Sequence, residues 1–107
     1  LRSTRANGVL FLSGDVHFSE LSLSGRGPYP LYDFTSSPLA QYPTGSTGWE
    51  KCVNSARVGA TFERDNFGLV EIEWEAEPGP RIGLSVVDIE GTRHLEHTIE
   101  LDQLQAR

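Results

Sequence analysis

The chain has 107 residues, of which 37% are hydrophobic and 22% are charged, and its formal net charge is −6 at pH 7. A chain of this length forms one domain at most and buries roughly 65% of its unfolded surface, which suffices for one core. The 9 basic residues are scattered along the chain, so no nucleic-acid partner is expected. The longest apolar run, Val9 to Leu12, is far shorter than the roughly 20 residues of a membrane-spanning helix, so no membrane segment is predicted.

The cysteine content and the first residue of the chain limit which disulfides, metal sites and chain boundaries are expected. The single cysteine, Cys52, cannot form an internal disulfide, excludes a four-cysteine zinc site and leaves the cellular location open. No neighbouring histidine activates its thiol, so we interpret Cys52 as a partly buried bystander. The chain begins at Leu1 without a methionine or signal-peptide features, and we interpret it as part of a longer protein.

Short strands are predicted in the first third of the chain. Val9 to Leu12 is apolar on both alternating faces, which is typical of a buried strand with a layer on each side. Phe18 to Leu23 and Leu31 to Ser36 are predicted as two further strands, the latter with Tyr32 and Phe34 on one face. Where the covering layers belong to a longer protein, this chain exposes the apolar strand, and self-association is expected.

Residues 37–60 are predicted to form a long loop. They are rich in Gly, Pro, Ser and Thr and show neither a 2-residue nor a 3.6-residue hydrophobic period. Two interpretations remain open, because a loop of this length either borders a functional cleft or is a plain surface excursion.

Residues 61–107 are predicted to form an antiparallel meander. Val70, Ile72 and Trp74 alternate with glutamates, which indicates a half-buried strand with an acidic outer face. The segments Ile82 to Val86 and Leu95 to Leu101 repeat the alternation, and Gly- and Pro-containing turns separate the three segments.

A candidate metal site directly follows the first strand. Asp15 and His17 are two residues apart, so in an extended backbone their side chains lie on the same side, and Gly14 permits a close turn. A carboxylate and an imidazole that converge can share a metal ion, but two ligands complete no coordination shell. The alternative is a turn carboxylate beside a hydrogen-bonded histidine, and the spacing alone does not decide between them.

Three segments in order resemble the PhoD-like (alkaline phosphatase D-type) phosphatases. Gly8 to Leu21 (Gly-Val-Leu-Phe-Leu-Ser-Gly-Asp-Val-His-Phe-Ser-Glu-Leu) is similar to the last metal-binding motif of that family and is the most specific match. Pro30 to Ser37 (Pro-Leu-Tyr-Asp-Phe-Thr-Ser-Ser) and Asn66 to Trp74 (Asn-Phe-Gly-Leu-Val-Glu-Ile-Glu-Trp) also match.

The resemblance implies that residues 1–107 are the C-terminal portion of a calcineurin-like metallophosphoesterase domain. The implied fold class is a mainly β fragment of an α/β four-layer sandwich, with a buried strand followed by an antiparallel meander. In the wider superfamily the matching motif is Gly-His-x-His, so His17 is implied as an imidazole metal ligand. Asp15 replaces the other histidine, as is typical of the PhoD-like branch, and is implied as an oxygen ligand.

The implied reaction is hydrolysis of phosphate mono- or diesters at a two-metal centre. The resemblance implies Ca²⁺ and Fe³⁺, with Zn²⁺, Mn²⁺ or Mg²⁺ as alternatives, and the oxygen of Asp15 suits a hard ion better than zinc. The only Asp-x-His in this sequence is Asp15-Val16-His17, which the resemblance assigns to the last motif. A separate upstream Asp-x-His, Gly-Asp-x-x-Asp and Gly-Asn-His do not occur in it. The chain alone is therefore expected to lack phosphatase activity, and its expected partners are a phosphate ester substrate and the remainder of its own catalytic domain.

Other polar residues carry weaker hypotheses. His94 and His97 lie in the last predicted strand, where their spacing places them on opposite faces, and we interpret both as structural. Asp33, Thr35 and Ser36 either line the cleft as hydrogen-bond partners of the metal ligands or simply end a polar strand.

A rival interpretation needs no catalysis. In it the chain is a β-rich interaction module, the acidic meander from Phe67 to Leu101 is its working surface, and Asp15 and His17 are incidental.

Overall fold

The computed structural model describes residues 1–16, 18–37 and 54–106. In these residues the chain is mainly β, as predicted, and its strands form two sheets. The strands are β1 (Leu10–Ser13), β2 (Ser19–Ser24), β3 (Leu31–Thr35), β4 (Arg57–Phe62), β5 (Asn66–Glu73), β6 (Arg81–Asp88) and β7 (Arg93–Glu100), and a 3₁₀ helix (Leu101–Leu104) follows. Within the described ranges, no helix has the length and apolar character needed to cross a membrane.

The first sheet, sheet A, has the strand order β1-β3-β2-β4. β1 and β3 are parallel, whereas β2 is antiparallel to both β3 and β4. The carboxyl ends of β1, β3 and β4 therefore lie at the same end of the sheet. On the inner face, Leu21 is paired with Phe34 and both are buried, because their alternating positions point toward the second sheet.

The second sheet, sheet B, has the order β5-β6-β7 with antiparallel pairing throughout, which confirms the predicted meander. Its central strand supplies Ile82, Leu84 and Val86 to the core, all of them buried. The side chain of Asp88 stabilises the turn that follows β6. Its Oδ1 accepts hydrogen bonds from the backbone N–H groups of Glu90 and Thr92, both at 2.9 Å.

The two sheets pack face to face with their strands crossing. Phe34 lies over β5, where a Cβ on Gly68 would stand 2.9 Å from Cε1 of its ring, so glycine permits this close approach. Tyr32, two residues earlier, lies over β7, with its ring centroid 5.2 Å from that of His97. β3 thus contacts both outer strands of sheet B and runs across them.

A seam joins the segment before β1 to the segment after the 3₁₀ helix. The backbone N–H of Gly8 donates to the carbonyl of Leu104 at 2.7 Å, and the N–H of Ala106 donates to Oδ1 of Asn7 at 2.7 Å. The side chain of Leu104 is fully buried. This seam closes one side of the sandwich.

The burial predicted for β1 depends on layers of a longer protein, and in the described residues β1 is partly exposed. Phe11 is 46% exposed and Leu12 is 66% exposed, because β1 is an edge strand. Leu10, at the start of the strand, packs against the core. The strand itself is present, and its exposed apolar side chains match the expectation for a strand whose covering layers lie elsewhere.

Two further predictions need correction. Val70 and Ile72 face the core, but they are 38% and 43% exposed, because β5 is an edge strand that sheet A covers only in part. The predicted loop of residues 37–60 ends too late, since β4 begins at Arg57 and pairs with β2. Residues 38–53 of that loop, which include Cys52, lie outside the described residues.

Candidate functional site

The turn that follows β1 is held against the residues that follow β3. The backbone N–H of Ser36 donates to the carbonyl of Ser13 at 3.0 Å, and the N–H of Val16 donates to Oγ of Ser37 at 3.1 Å. Because β1 and β3 are parallel, their carboxyl ends meet at one edge, where sheets of α/β proteins commonly place ligands. Asp15 lies in this turn.

The backbone at Asp15 differs from the predicted extended geometry. Asp15 has a φ of 67°, in the left-handed region that non-glycine residues seldom adopt. Gly14 does not have a positive φ, and a Cβ there would meet the nearest atom, the carbonyl oxygen of Ser36, at an ordinary 3.8 Å. The close turn therefore depends on Asp15 rather than on Gly14, and the rule of alternating side chains does not apply to it. His17 lies outside the described residues.

The residues predicted to line the site have separate structural contacts. Oγ of Ser13 donates to Oδ1 of Asp33 at 2.6 Å on the outer face of sheet A. Oγ of Ser36 accepts the backbone N–H of Gly68 at 2.7 Å and so links the two sheets. Thr35 is 7% exposed. Asp33 and Ser36 thus fix the strand ends on which the turn is built.

The far side of the turn is anchored by a buried polar pair. Oγ of Ser19 donates to Oδ1 of Asn66 at 2.7 Å, and the amide of Asn66 donates to the carbonyl of Arg64 at 2.6 Å. Ser19 and Asn66 are both almost completely buried, and Phe18 beside them is 3% exposed. The residues on both sides of position 17 are therefore held by packing and hydrogen bonds.

Asp15 is suited to bind a hard cation but is not sufficient for one. Its carboxylate is an oxygen donor of the kind that Ca²⁺ and Mg²⁺ take. Among residues 1–16, 18–37 and 54–106, no group of three or more His, Cys, Asp or Glu side chains is arranged to hold a metal ion. The described residues alone therefore complete no metal site, and a metal role for Asp15 stays a prediction.

Comparison with known proteins assigns no family. No family model, no curated protein and no solved structure matches the chain. A functional proposal therefore has to depend on the motifs and on the geometry of the turn at Asp15.

A second polar feature lies at the same edge of sheet A, beside the end of β4. An open cavity of about 640 Å³ is lined by Phe62, Arg64, Asp65, Asp88, Ile89, Glu90 and His94. Phe62 pairs with Ser19 across β4 and β2, so the cavity is close in the sheet to the segment that contains position 17. No local sequence pattern predicts this cavity, because its lining comes from two turns that are distant in the chain.

The two remaining histidines have separate contacts. The His94 ring stacks on Phe62 with centroids 4.1 Å apart, and its Nε2 lies 2.6 Å from Oδ2 of Asp88. Nε2 of His97 lies 3.3 Å from the hydroxyl of Tyr32. Each histidine thus contacts its own neighbours, in keeping with the structural roles predicted for them.

The hydrogen bonds of Asp88 predict acid sensitivity. The bond from His94, followed by the backbone bond from Thr92, lowers the pKa of Asp88 below its ordinary value of 3.8. A carboxyl whose pKa is lower in the folded state stabilises the fold above the unfolded pKa, and this contribution is lost as the pH falls through the folded pKa. We expect the stability difference between wild type and Asp88→Asn to shrink from pH 5 to pH 3 in urea titrations. A difference that stays constant over this range would exclude the linkage.

The left-handed backbone of Asp15 predicts the effect of a glycine there. Since a side chain in this region costs about 1 kcal/mol, Asp15→Gly should raise the free energy of unfolding by roughly 0.5–1 kcal/mol in urea titrations. Asp15→Val should lower it by more than about 1 kcal/mol, because a branched side chain suits this backbone least. A loss of stability in Asp15→Gly would show instead that the aspartate is retained for structural contacts.

Proposed function

We propose that the chain is the C-terminal portion of a PhoD-like metallophosphatase domain, and that it supplies Asp15 and His17 to a two-metal centre that hydrolyses phosphate esters. The observation that carries the proposal is the turn at Asp15. A carboxylate residue with a φ of 67° follows a parallel strand at the edge where three strands end. Strained backbone at non-glycine residues is concentrated at functional sites.

The exposed faces of β1 support the same proposal. Its two exposed apolar side chains, Phe11 and Leu12, point to opposite faces of sheet A, since they are adjacent in the strand. Parallel strands that are apolar on both faces occur where other layers cover them. A four-layer domain would supply those layers, and the remainder of the catalytic domain is the proposed partner of this surface.

The proposed roles follow from the chemistry of each donor. Asp15 provides a carboxylate oxygen for a hard ion, with Ca²⁺ as the best match, and His17 provides an imidazole nitrogen for the partner ion, proposed as Fe³⁺. A pair of bound cations would neutralise phosphate oxygens and acidify a metal-bound water. The hydrogen bonds of Ser36 and Ser37 hold the backbone of the turn at the end of the strand.

The charges of sheet B weaken the rival interpretation, in which the acidic meander is a binding surface. Glu71 pairs with Arg93 at 2.9 Å, and Glu100 pairs with Arg81 at 2.9 Å. Glu73 also lies 3.9 Å from Arg81. Because the arginines of the same sheet compensate these carboxylates, the acidic surface offers less charge to a basic partner than its sequence implies.

An activity comparison tests the proposal. We expect the complete protein to hydrolyse bis(p-nitrophenyl) phosphate in the presence of Ca²⁺ and Fe³⁺, and the 107-residue chain to show no turnover under the same conditions. A complete protein that lacks both the upstream ligand motifs and phosphodiesterase activity would favour the rival. Turnover by the short chain itself would contradict the proposed division of the metal ligands.

A further inference from the structure

An open cavity of about 650 Å³ lies at the end of sheet A opposite to Asp15. Its lining comes from the segment before β1, the turn between β2 and β3 and the residue that ends the seam: Arg2, Arg5, Asn7, Gly27, Pro28 and Ala106. The turn precedes the amino end of β3, whereas Asp15 follows the carboxyl end of β1, which is parallel to β3. The cavity is therefore separate from the proposed metal centre, and its volume is in the range of small-ligand sites.

The side chains that line this cavity offer hydrogen-bond donors. Arg2 and Arg5 each bring a guanidinium, which has several N–H donors and no acceptor. Oδ1 of Asn7 accepts the backbone N–H of Ala106 at 2.7 Å, which assigns the amide oxygen to that bond and leaves the NH2 group as a donor. Among the described residues in the lining, none is acidic. This set of donors suits an oxyanion.

The two guanidiniums also lack the partners that other arginines of this chain have. The chain has 15 acidic and 9 basic residues, and three arginines are paired with glutamates at 2.7–2.9 Å: Arg57, Arg81 and Arg93. Neither Arg2 nor Arg5 forms an ion pair with a described residue. Although carboxylates are in excess, the cavity thus keeps a local positive charge that can attract an external anion.

Hydrogen bonds hold the walls of the cavity in place. Nη2 of Arg2 donates to the carbonyl of Arg26 at 3.3 Å, which fastens this guanidinium to the turn between β2 and β3. The hydroxyl of Tyr29, which is buried, donates to the carbonyl of Ala6 at 2.7 Å. Together with the seam, these bonds tie the segment before β1 to its neighbours on both sides. Donors that are already positioned lose less freedom when a ligand binds.

We propose that this cavity binds a small molecule with two or more anionic oxygen groups, such as a diphosphate or a tricarboxylate. Arg2 and Arg5 each take one anionic group, and the NH2 group of Asn7 donates to a further oxygen. Two guanidiniums are too few to follow a nucleic-acid backbone. The faces of β1, which the proposed function gives to the remainder of the catalytic domain, do not belong to the lining.

The exposure of the donors predicts modest affinity and strong dependence on salt. Arg2, Arg5 and Asn7 are all exposed, so water and salt screen their charges. We expect a dissociation constant of about 0.1–1 mM for pyrophosphate at low salt. Binding should be at least about threefold weaker in about 200 mM NaCl than in about 20 mM NaCl.

Isothermal titration calorimetry with pyrophosphate tests the site in the 107-residue chain. The chain is first passed over a chelating resin, so that a bound metal ion cannot account for the signal. Arg5→Gln should raise the dissociation constant at least about fivefold, because it removes a charged donor. A parallel titration with citrate distinguishes the two ligand classes, since the anion that binds more tightly identifies the preferred anionic group.

The matched control is Arg64→Gln. Arg64 is also exposed and forms no ion pair with a described residue, but it lines the other cavity, beside the end of β4. Its replacement removes the same charge and should leave the dissociation constant within about twofold of the wild type. Equal losses in Arg5→Gln and Arg64→Gln would show only a general effect of net charge and would overturn the proposal.

Amide NMR spectra locate the bound anion. Titration with pyrophosphate should move the resonances of Gly27 and Ala106, which line the cavity, and leave that of Val86 in the core of sheet B unmoved. Absence of binding by both anions up to about 10 mM would also overturn the proposal. Neither result bears on Asp15 and His17, whose test is the activity of the complete protein.

Discussion

Alanine in place of His17 is expected to lower kcat/KM for phosphodiester hydrolysis by at least about 100-fold in the complete protein. Replacing only a hydrogen-bond partner of a metal ligand typically costs 10- to 100-fold, and removing the ligand itself should cost at least as much. The measurement is steady-state hydrolysis of bis(p-nitrophenyl) phosphate together with the metal content of the purified variant.

The control for this substitution is His97→Gln. The His97 ring packs against Tyr32 between the two sheets, and the variant should keep activity within a few-fold of the wild type. Unchanged turnover in His17→Ala would remove His17 from the mechanism. Equal losses in both variants would point to unfolding, which circular dichroism distinguishes from a loss of metal.

Leu84→Ala is expected to lower the free energy of unfolding by about 2–5 kcal/mol, the range for removing a large buried aliphatic side chain. Leu84 is fully buried in the central strand of sheet B. Since small domains are stable by only about 5–15 kcal/mol, this single change removes a large share of the total.

Urea unfolding followed by tryptophan fluorescence measures this loss. Ile89→Ala is the control, because Ile89 is 81% exposed and its substitution should change stability by less than about 0.5 kcal/mol. A similar loss in the two variants would contradict the assignment of Leu84 to the core.

The sequence predicts the meander well because local patterns decide it. The alternation of Ile82, Leu84 and Val86 identifies the buried face of β6. The turn residues around Gly91 mark the end of the strand. Neither feature depends on distant parts of the chain, so the periodicity of side chains is sufficient.

The arrangement of the sheets was not predictable in the same way. Whether Val70 and Ile72 are covered depends on how far sheet A extends over β5, which no local pattern contains. The parallel pairing of β1 with β3 and the crossing of β3 over sheet B likewise result from contacts between distant segments.

The candidate site was predicted in part. The position of Asp15 after the first strand follows from the sequence, but its left-handed backbone does not, because conformational preference alone assigns the turn to glycine at position 14. The assignment of Asp15 and His17 as metal ligands stays a prediction. The cavity beside β4 was missed, because the turns that line it meet only in the folded chain.

The seam between Asn7 and Ala106 has a consequence for the order of folding. It joins residues 99 positions apart, and closing so long a loop is entropically unfavourable until other contacts have drawn its ends together. The hairpins of sheet B join neighbouring segments and can form early. We therefore expect the sandwich to assemble from its C-terminal half, with the first strand docking late.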